Sequence, residues 1–458
     1  MGDYDLVIAN GTVVTAEAVY IADVGIVGEE IAAIGQGLRG RRTLDAGGCY
    51  VLPGAVDVHV HLQMPVSGGR YVSSDDFASG TIAAAHGGTT TVIDFVEPQP
   101  GQSLREALAA RRAEADGKVA VDYGLHMTIP TWHADEPQAL AEIPALIEAG
   151  VPTFKLYLAY AGLRLDDAQL YTVLKALASH GGLPIVHCEN GPLCDRLRAE
   201  ALAEGHTAPR HHALTRPPRQ EAEAVGRALD IAALAAAPLY VVHVSCAEAL
   251  ERIVAARRRG QPVFAETCPQ YLTLTAEMLE RTGGERYICA PPLRREADQM
   301  ALWGGLARGE LQTVATDHCP FTLAEKAEGA DFTQVPGGLP GIEARLSLLH
   351  TLGVRGGHLS LSRWVEVCCT APARLAGLSR KGHIIPGADA DLVIFDPVRQ
   401  VTLSADSLHE RAGWTPYEGL RLHGWPRLTL SRGEVIVEEG RFTGQPGHGH
   451  FVARFDVT

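Results

Sequence analysis

A regular alternation along residues 54–316 limits the possible folds more than any other feature of this chain. Short apolar, β-branched runs are each followed by a polar turn and then by a segment rich in Ala, Leu, Glu and Arg. The eight runs are Gly54–Val60, Thr89–Phe95, Val119–Met127, Thr153–Leu158, Leu183–His187, Leu239–Val244, Pro262–Thr267 and Thr313–Thr316. Most are apolar on both faces, which is typical of parallel strands covered on both sides.

The segments between these runs have the composition and spacing of helices. They include Ser103–Asp116, Asp167–His180, Arg219–Ala236 and Ala247–Arg259. In the first of them, Ser103 followed by Glu106 predicts a capping box at the helix start. Strands that alternate with helices eight times predict an α/β fold, a (β/α)8 TIM-type barrel. Its active site would lie at the C-terminal ends of the strands.

The two ends of the chain do not follow this alternation. Residues 4 to about 52, and the part of the chain that contains Asp391–Asp396 and Leu428–Arg432, have short strand patterns separated by glycine and proline turns. We therefore predict a smaller β-sandwich domain formed by both termini, residues 1–53 and 378–458. The catalytic barrel would comprise residues 54–377.

Composition and charge exclude several classes of partner. The net charge of -14 over 458 residues argues against nucleic acid and anionic membranes. No apolar run is long enough to span a bilayer, and the start, Met1–Asp5, lacks the basic and apolar parts of an export signal. The nine cysteines contain no CxxC pair and are interpreted as reduced thiols, so we expect a cytoplasmic protein.

His59 and His61 stand two residues apart at the end of the first run. Alternate side chains of a strand point the same way, so both imidazoles would face one point. Taken alone, this spacing fits a metal site and two half-exposed histidines equally well.

Other candidate ligands stand within later runs or directly after them. They are Lys155 in the fourth run, His187 in the fifth, His243 in the sixth and Asp317 after the eighth. Each has a structural explanation by itself, but their joint placement on one rim of the predicted barrel indicates a metal site. Nitrogen and oxygen ligands without thiolate suit zinc, manganese or cobalt, with zinc as the default.

Lys155 lies inside an apolar run, where burial would lower the pKa of its ammonium. It could be a lysine that extends its ammonium to the surface, or one that forms a Schiff base. Alternatively, the neutral amine could react with carbon dioxide. The resulting carbamate has two oxygens and one negative charge, and it could bridge two cations that would otherwise repel each other strongly.

Many longer motifs of the chain occur in the order seen in one known family. They include Pro53–His61, Asp75–Phe77, Gly87–Phe95, Phe154-Lys155 with Tyr160, His187–Gly191, Glu266–Leu272, Pro291–Arg294, Thr316–Pro320 and Gly387–Leu392. These motifs are spread over nearly the whole chain. In them, the chain resembles the cyclic amidohydrolases of the amidohydrolase superfamily. The resemblance is closest to the dihydropyrimidinases and bacterial D-hydantoinases.

The resemblance implies a site with two divalent metal ions, bridged by N6-carboxylated Lys155. His59, His61 and Asp317 would bind the more buried ion, and His187 and His243 the other. Tyr160 would stabilise the developing oxyanion, and backbone groups of Cys289, Ala290 and Gly337 would hold the ring amide. The family often has Ser at the position of Ala290 and Asn at that of Gly337, but main-chain contacts can survive both changes.

The expected reaction is hydrolysis of a cyclic amide to an N-carbamoyl amino acid. Asp317 would take a proton from the metal-activated water and pass it to the leaving nitrogen. Dihydroorotases, which resemble this family, typically have Arg where this chain has Gln63. We therefore expect a neutral ring, namely dihydrouracil, dihydrothymine or a 5-substituted hydantoin, and allantoin stays open.

Two other classes of protein are alternatives to a cyclic amidohydrolase with two metal ions. Some dihydropyrimidinase relatives are non-catalytic scaffold proteins that have lost metal ligands, whereas this chain retains all six. A mononuclear deaminase of the same superfamily would not need Lys155. Among partners, we expect a small cyclic amide substrate and, from the resemblance, assembly into a homo-oligomer, either a tetramer or a dimer.

Overall fold

An eight-stranded parallel sheet forms the centre of the protein, and its strands pair in the order in which they occur along the chain. The computed structural model describes residues 3–457, so residues 1, 2 and 458 of the predicted terminal domain lie outside it. The barrel strands are β1 (Ala55–Val60), β2 (Thr89–Val96), β3 (Asp122–Thr128), β4 (Thr153–Tyr157), β5 (Leu183–His187), β6 (Leu239–Val241), β7 (Val263–Thr267) and β8 (Thr313–Val314).

The first and last barrel strands meet just beyond their C-terminal ends. Val60 and His318 form a parallel bridge. The Asp317 N–H donates to the His59 carbonyl at 2.9 Å, and the His61 N–H donates to the His318 carbonyl at 2.9 Å. These bonds nearly close the sheet into a barrel and confirm the predicted fold class.

Helices follow each strand and cover the outside of the barrel. The α-helices that connect its strands are Phe77–His86, Leu104–Ala115, Thr131–Ala134, Pro137–Leu140, Ile143–Glu148, Asp167–Ser179, Gly191–Ala203, Arg210–Leu214, Pro218–Leu234, Ala247–Arg258, Pro269–Thr273 and Glu296–Ala307. After β8 come α-helices Leu323–Ala327, Arg345–Leu348, Leu361–Val365 and Ala371–Leu375, with π-helical turns at Leu349–Val354 and Glu366–Thr370. The capping box predicted from Ser103 and Glu106 is present.

Three barrel strands are at least two residues shorter than the sequence predicted. Strand β3 begins at Asp122 rather than Val119, β6 ends at Val241, and β8 ends at Val314. The backbone of His243 (φ +39°) and that of Asp317 (φ +53°) are both left-handed, a conformation that a strand does not contain. The chain therefore leaves the sheet before these two candidate ligands, which apolar patterning alone does not reveal.

Strands from both ends of the chain form two further sheets. A four-stranded sheet contains Glu30–Gly35, Asp23–Val27, Tyr4–Ala9 and Gly40–Asp45 in that spatial order. A seven-stranded sheet contains Arg441–Phe442, Glu434–Glu438, Arg421–Ser431, Leu392–Thr402, Tyr50–Pro53, Thr12–Val14 and Val19–Ile21. Ile8 and Val24 of the smaller sheet share a buried apolar core with Val51 and Leu392 of the larger. The domain boundaries at residues 53/54 and 377/378 stay a prediction.

A buried ionic cluster joins the barrel to the terminal sheets. The Lys381 ammonium lies 2.6 Å from Asp122 of β3 and 2.8 Å from each of Asp389 and Asp391. Arg432 pairs with the other oxygen of Asp122. Lys381 and Asp391 are each 2% exposed, so these charges are shielded from water and depend on one another.

Lys381→Met is expected to lower the free energy of unfolding by about 3–5 kcal/mol, because it leaves buried carboxylates without their counter-ion. The measurement is chemical denaturation of both proteins in the same buffer. Lys175→Met, at an exposed position of helix Asp167–Ser179, is the control and should leave stability unchanged. A wild-type unfolding free energy in Lys381→Met would contradict the role of the cluster.

Within residues 3–457, no helix is both long enough and apolar enough to cross a membrane.

Candidate metal centre

His59, His61 and Asp317 meet where the barrel closes. His59 Nε2 lies 3.2 Å and His61 Nε2 lies 3.1 Å from Asp317 Oδ1. The three residues each offer a ligand atom within 4.8 Å of the others. His59 is 1% exposed and His61 is 6% exposed, so the group is shielded from bulk water. The backbone bonds between β1 and the segment after β8 hold these side chains together.

His187 and His243 form a second pair beside the first group. His187 Nδ1 lies 2.9 Å from His243 Nε2, and the His243 ring centroid lies 5.5 Å from that of His59. Both histidines are buried, and burial lowers the pKa of each imidazole. Neutral imidazoles offer lone pairs to a metal ion, so the two pairs of histidines form one adjoining set of donors.

Lys155 of β4 is buried next to the same histidines. Its ammonium nitrogen lies 4.8 Å from the centroid of the Phe95 ring, on which His61 stacks. The side chain is 1% exposed, and burial lowers the pKa of its ammonium, although Asp317 and Glu266 act in the opposite direction. A buried amine with a lowered pKa is the form of lysine that can react with carbon dioxide.

The hydrogen bonds of the histidines fit bound cations. His59 Nδ1 lies 2.5 Å from Glu266 Oε1, and the tautomer that donates this hydrogen bond leaves a lone pair on His59 Nε2. That lone pair lies near the Asp317 carboxylate without a hydrogen bond, so two electron-pair donors face each other. His187 Nε2 likewise pairs with Glu189, and its Nδ1 lies within hydrogen-bond distance of His243 Nε2. A cation between His59 Nε2 and the Asp317 carboxylate would turn their repulsion into coordination.

Two carboxylates that orient the histidines received no role from the sequence. Glu266 of β7 binds His59 and also accepts a hydrogen bond from the Tyr240 hydroxyl at 2.8 Å. Glu189 is fully buried and pairs with Arg216. Burial acts to raise the pKa of Glu189, but Arg216 outweighs it and holds the pKa well below its usual range. A charged residue inside an apolar run, as at Glu266, is the signal that could have identified the first of them.

Of the four predicted substrate-binding residues, Tyr160 packs against this group of side chains. Tyr160 lies after β4, with its ring centroid 5.0 Å from that of His187, and burial raises the pKa of its hydroxyl. Cys289 is buried, Ala290 is half-buried and Gly337 is exposed. The backbone of Gln63 is left-handed (φ +50°), and its N–H donates to the Asp75 carbonyl at 2.6 Å.

A second cluster, His86, Glu343 and His409, also has ligand atoms within 4.8 Å of one another. Its two imidazole rings are stacked, with centroids 3.4 Å apart and planes inclined by 8°. An ion bound by a histidine lies in the plane of the ring, and no point lies in both of two parallel planes. This arrangement is therefore unsuited to binding a metal through both rings.

Comparison with known proteins identifies the class of this chain. Residues 50–436 match the Amidohydrolase family, and the protein belongs to it. A D-hydantoinase of Geobacillus stearothermophilus is 46% identical over 456 residues, which cover 98% of this chain and 96% of the relative. A D-hydantoinase of Streptomyces coelicolor is 44% identical over 461 residues, covering 98% and 97%.

The fold agrees with solved structures at the same level of similarity. The crystal structure of a dihydropyrimidinase from Brevibacillus agri superposes with a TM-score of 0.96 at 44% identity, covering 99% of both chains. The protein is thus a hydrolase of the amidohydrolase family, similar along its whole length to hydantoinases and dihydropyrimidinases.

Proposed function

We propose that this amidohydrolase opens the rings of 5-substituted hydantoins and dihydropyrimidines to give N-carbamoyl amino acids. The observation that carries the proposal is the convergence of His59, His61, Asp317, His187 and His243 around buried Lys155, in a chain 46% identical to a D-hydantoinase. These six residues would hold two divalent ions, with N6-carboxylated Lys155 between them. Zinc is the default metal, with manganese and cobalt as alternatives.

The bound ions would supply Lewis acidity and a water molecule that ionises near neutral pH. Asp317 would accept a proton from the attacking water and return it to the ring nitrogen as the amide bond breaks. The Tyr160 hydroxyl donates a hydrogen bond to the oxygen that gains negative charge. Backbone groups of Cys289, Ala290 and Gly337 bind the ring amide and fix its orientation.

The neighbourhood of Gln63 supports a neutral ring. The Gln63 side chain carries no charge, and the Arg70 guanidinium lies 3.7 Å from Glu328, so that ion pair already engages it. A ring that carries a carboxylate, such as dihydroorotate, would therefore meet no cation at position 63.

One assay tests the proposed function directly. Dihydrouracil, D- and L-phenylhydantoin, allantoin and dihydroorotate are incubated separately with the metal-loaded protein, and the ring-opened product is quantified. We expect turnover of dihydrouracil and phenylhydantoin, with the D-enantiomer preferred because the two relatives described above are named D-hydantoinases. Faster opening of dihydroorotate or allantoin would overturn the choice of ring. The absence of metal and of all turnover would instead favour a scaffold protein.

Tyr160→Phe is expected to lower kcat by about 10²–10³-fold, because it removes one donor to the oxyanion. KM should change only a few-fold, since this bond strengthens as the reaction proceeds. Steady-state kinetics with dihydrouracil measure both quantities. Tyr171→Phe, at an exposed position of helix Asp167–Ser179, is the control and should match the wild type. An unchanged kcat in Tyr160→Phe would remove this role.

The proposal also covers the assembly of the protein and its location in the cell. We propose a homo-oligomer, a tetramer or a dimer, which light scattering would distinguish from a monomer. The nine cysteines are free and buried, which supports a reducing compartment such as the cytoplasm.

A further inference from the structure

Lys326 is a buried lysine that is not among the candidate metal ligands. It lies in the helix Leu323–Ala327 and is 1% exposed. No acidic side chain within residues 3–457 pairs with its ammonium, and burial lowers its pKa to about 7. Burying an amine costs free energy unless its N–H groups are hydrogen-bonded, so its contacts must account for its presence.

The Lys326 ammonium connects two separate loops. It donates to the Ile288 carbonyl at 2.9 Å and to the Pro336 carbonyl at 2.7 Å. The Gly338 N–H also donates to the Ile288 carbonyl, at 3.0 Å. These bonds hold the two loops side by side. Cys289 and Gly337, the residues that follow the two carbonyls, are the ones expected to contact the ring amide.

The peptide unit that contains each of these carbonyls also contains an N–H group. The Ile288 carbonyl shares its peptide with the Cys289 N–H, and the Pro336 carbonyl shares its peptide with the Gly337 N–H. Within the described residues, neither of these N–H groups donates a hydrogen bond to the protein. A bond accepted by the carbonyl polarises the peptide, and this makes its N–H a stronger donor.

We propose that Lys326 is a positioning residue of the ring-amide subsite. Its ammonium fixes the distance between the two loops and strengthens the N–H donors of Cys289 and Gly337 toward a cyclic amide. This inference rests on the proposed function. The contact persists when the amine is neutral, because an amine keeps two N–H donors for two carbonyls. His212 supports the same loop, since its Nε2 donates to the Cys289 carbonyl at 2.8 Å.

Lys326→Met tests this role, because methionine has a similar length but no donor. With dihydrouracil we expect KM to rise about 10-fold while kcat stays within about threefold, since the subsite binds ground and transition states alike. Metal content should equal that of the wild type. Hydrogen exchange of the backbone should become faster in residues 286–290 and 335–339. Lys381→Met is the matched control: it also removes a buried amine, but it should leave KM unchanged at temperatures where it is folded.

The possible results separate the two proposals. A wild-type KM in Lys326→Met, or wild-type exchange in both loops, overturns the role of Lys326. If Lys326→Met does not fold, Lys326→Gln replaces it, because its side chain is one bond shorter and cannot span both carbonyls as the ammonium does. A raised KM there supports the role, and a wild-type KM overturns it. If the wild-type protein opens none of the rings, the proposed function fails. In that case exchange in the two loops still decides whether Lys326 orders them.

Discussion

Asp317→Asn should lower kcat by about 10²–10⁴-fold, the range typical of a lost general acid–base. The amide has nearly the same shape as the carboxylate and keeps one oxygen for coordination, but it cannot accept and return a proton. Asp317 is suited to this role because its Oδ1 lies within 3.2 Å of both His59 and His61, at the seam of the barrel. Its left-handed backbone turns the side chain toward these histidines.

The decisive measurement pairs kinetics with metal analysis of the same Asp317→Asn preparation, reconstituted with zinc. Loss of turnover with about two ions per chain would assign the effect to proton transfer. Loss of turnover with loss of metal would assign it to coordination. Asp230→Asn, at an exposed helical position, is the control and should retain wild-type kinetics. Near-normal kcat in metal-loaded Asp317→Asn would show that another group moves the proton.

Lys155→Ala should reduce bound metal below two ions per chain and lower turnover by at least about 10²-fold. Without a bridging anion, two divalent cations at close range repel strongly. The alanine leaves room beside Phe95, where the lysine nitrogen now lies 4.8 Å from the ring. A small carboxylate has the charge and the two oxygens of the proposed carbamate. Acetate or propionate in the assay should therefore restore part of the lost activity.

Several controls make the rescue specific. The same acids should not activate the wild type, and a neutral amide such as acetamide should not rescue Lys155→Ala. Reconstitution of metal-free wild-type protein in buffer depleted of carbon dioxide should give slow recovery that added bicarbonate accelerates. Full activity and two metal ions in Lys155→Ala without any added acid would exclude the bridge and favour a mononuclear reaction.

The sequence predicts the barrel well because each strand carries its own signal. An apolar run such as Leu183–His187 is buried on both faces, and its predicted bounds equal those in the structure. Strand periodicity alone predicts that the side chains of His59 and His61 point the same way, and this prediction needs no tertiary information. Local pattern and final fold agree in these places.

Features that depend on long-range geometry were not predictable. The left-handed backbones of His243 and Asp317 depend on how the chain leaves the sheet. The apolar pattern of the runs does not encode this conformation. The carboxylates of Glu189 and Glu266 acquire their role only when the histidines meet them in space. The sequence likewise gives no signal for the role of Lys326, because its partners are backbone carbonyls, which are present at every position.

The seam between β1 and the segment after β8 has a consequence for biosynthesis. His61 and Asp317 are separated by 256 residues. A ribosome that adds about 5–20 residues per second needs about 13–50 s to synthesise the intervening chain. The nascent chain thus exposes its first histidines long before the aspartate exists. If this group binds metal as proposed, uptake would follow the synthesis of residue 317, and nascent chains truncated before that residue should bind zinc weakly.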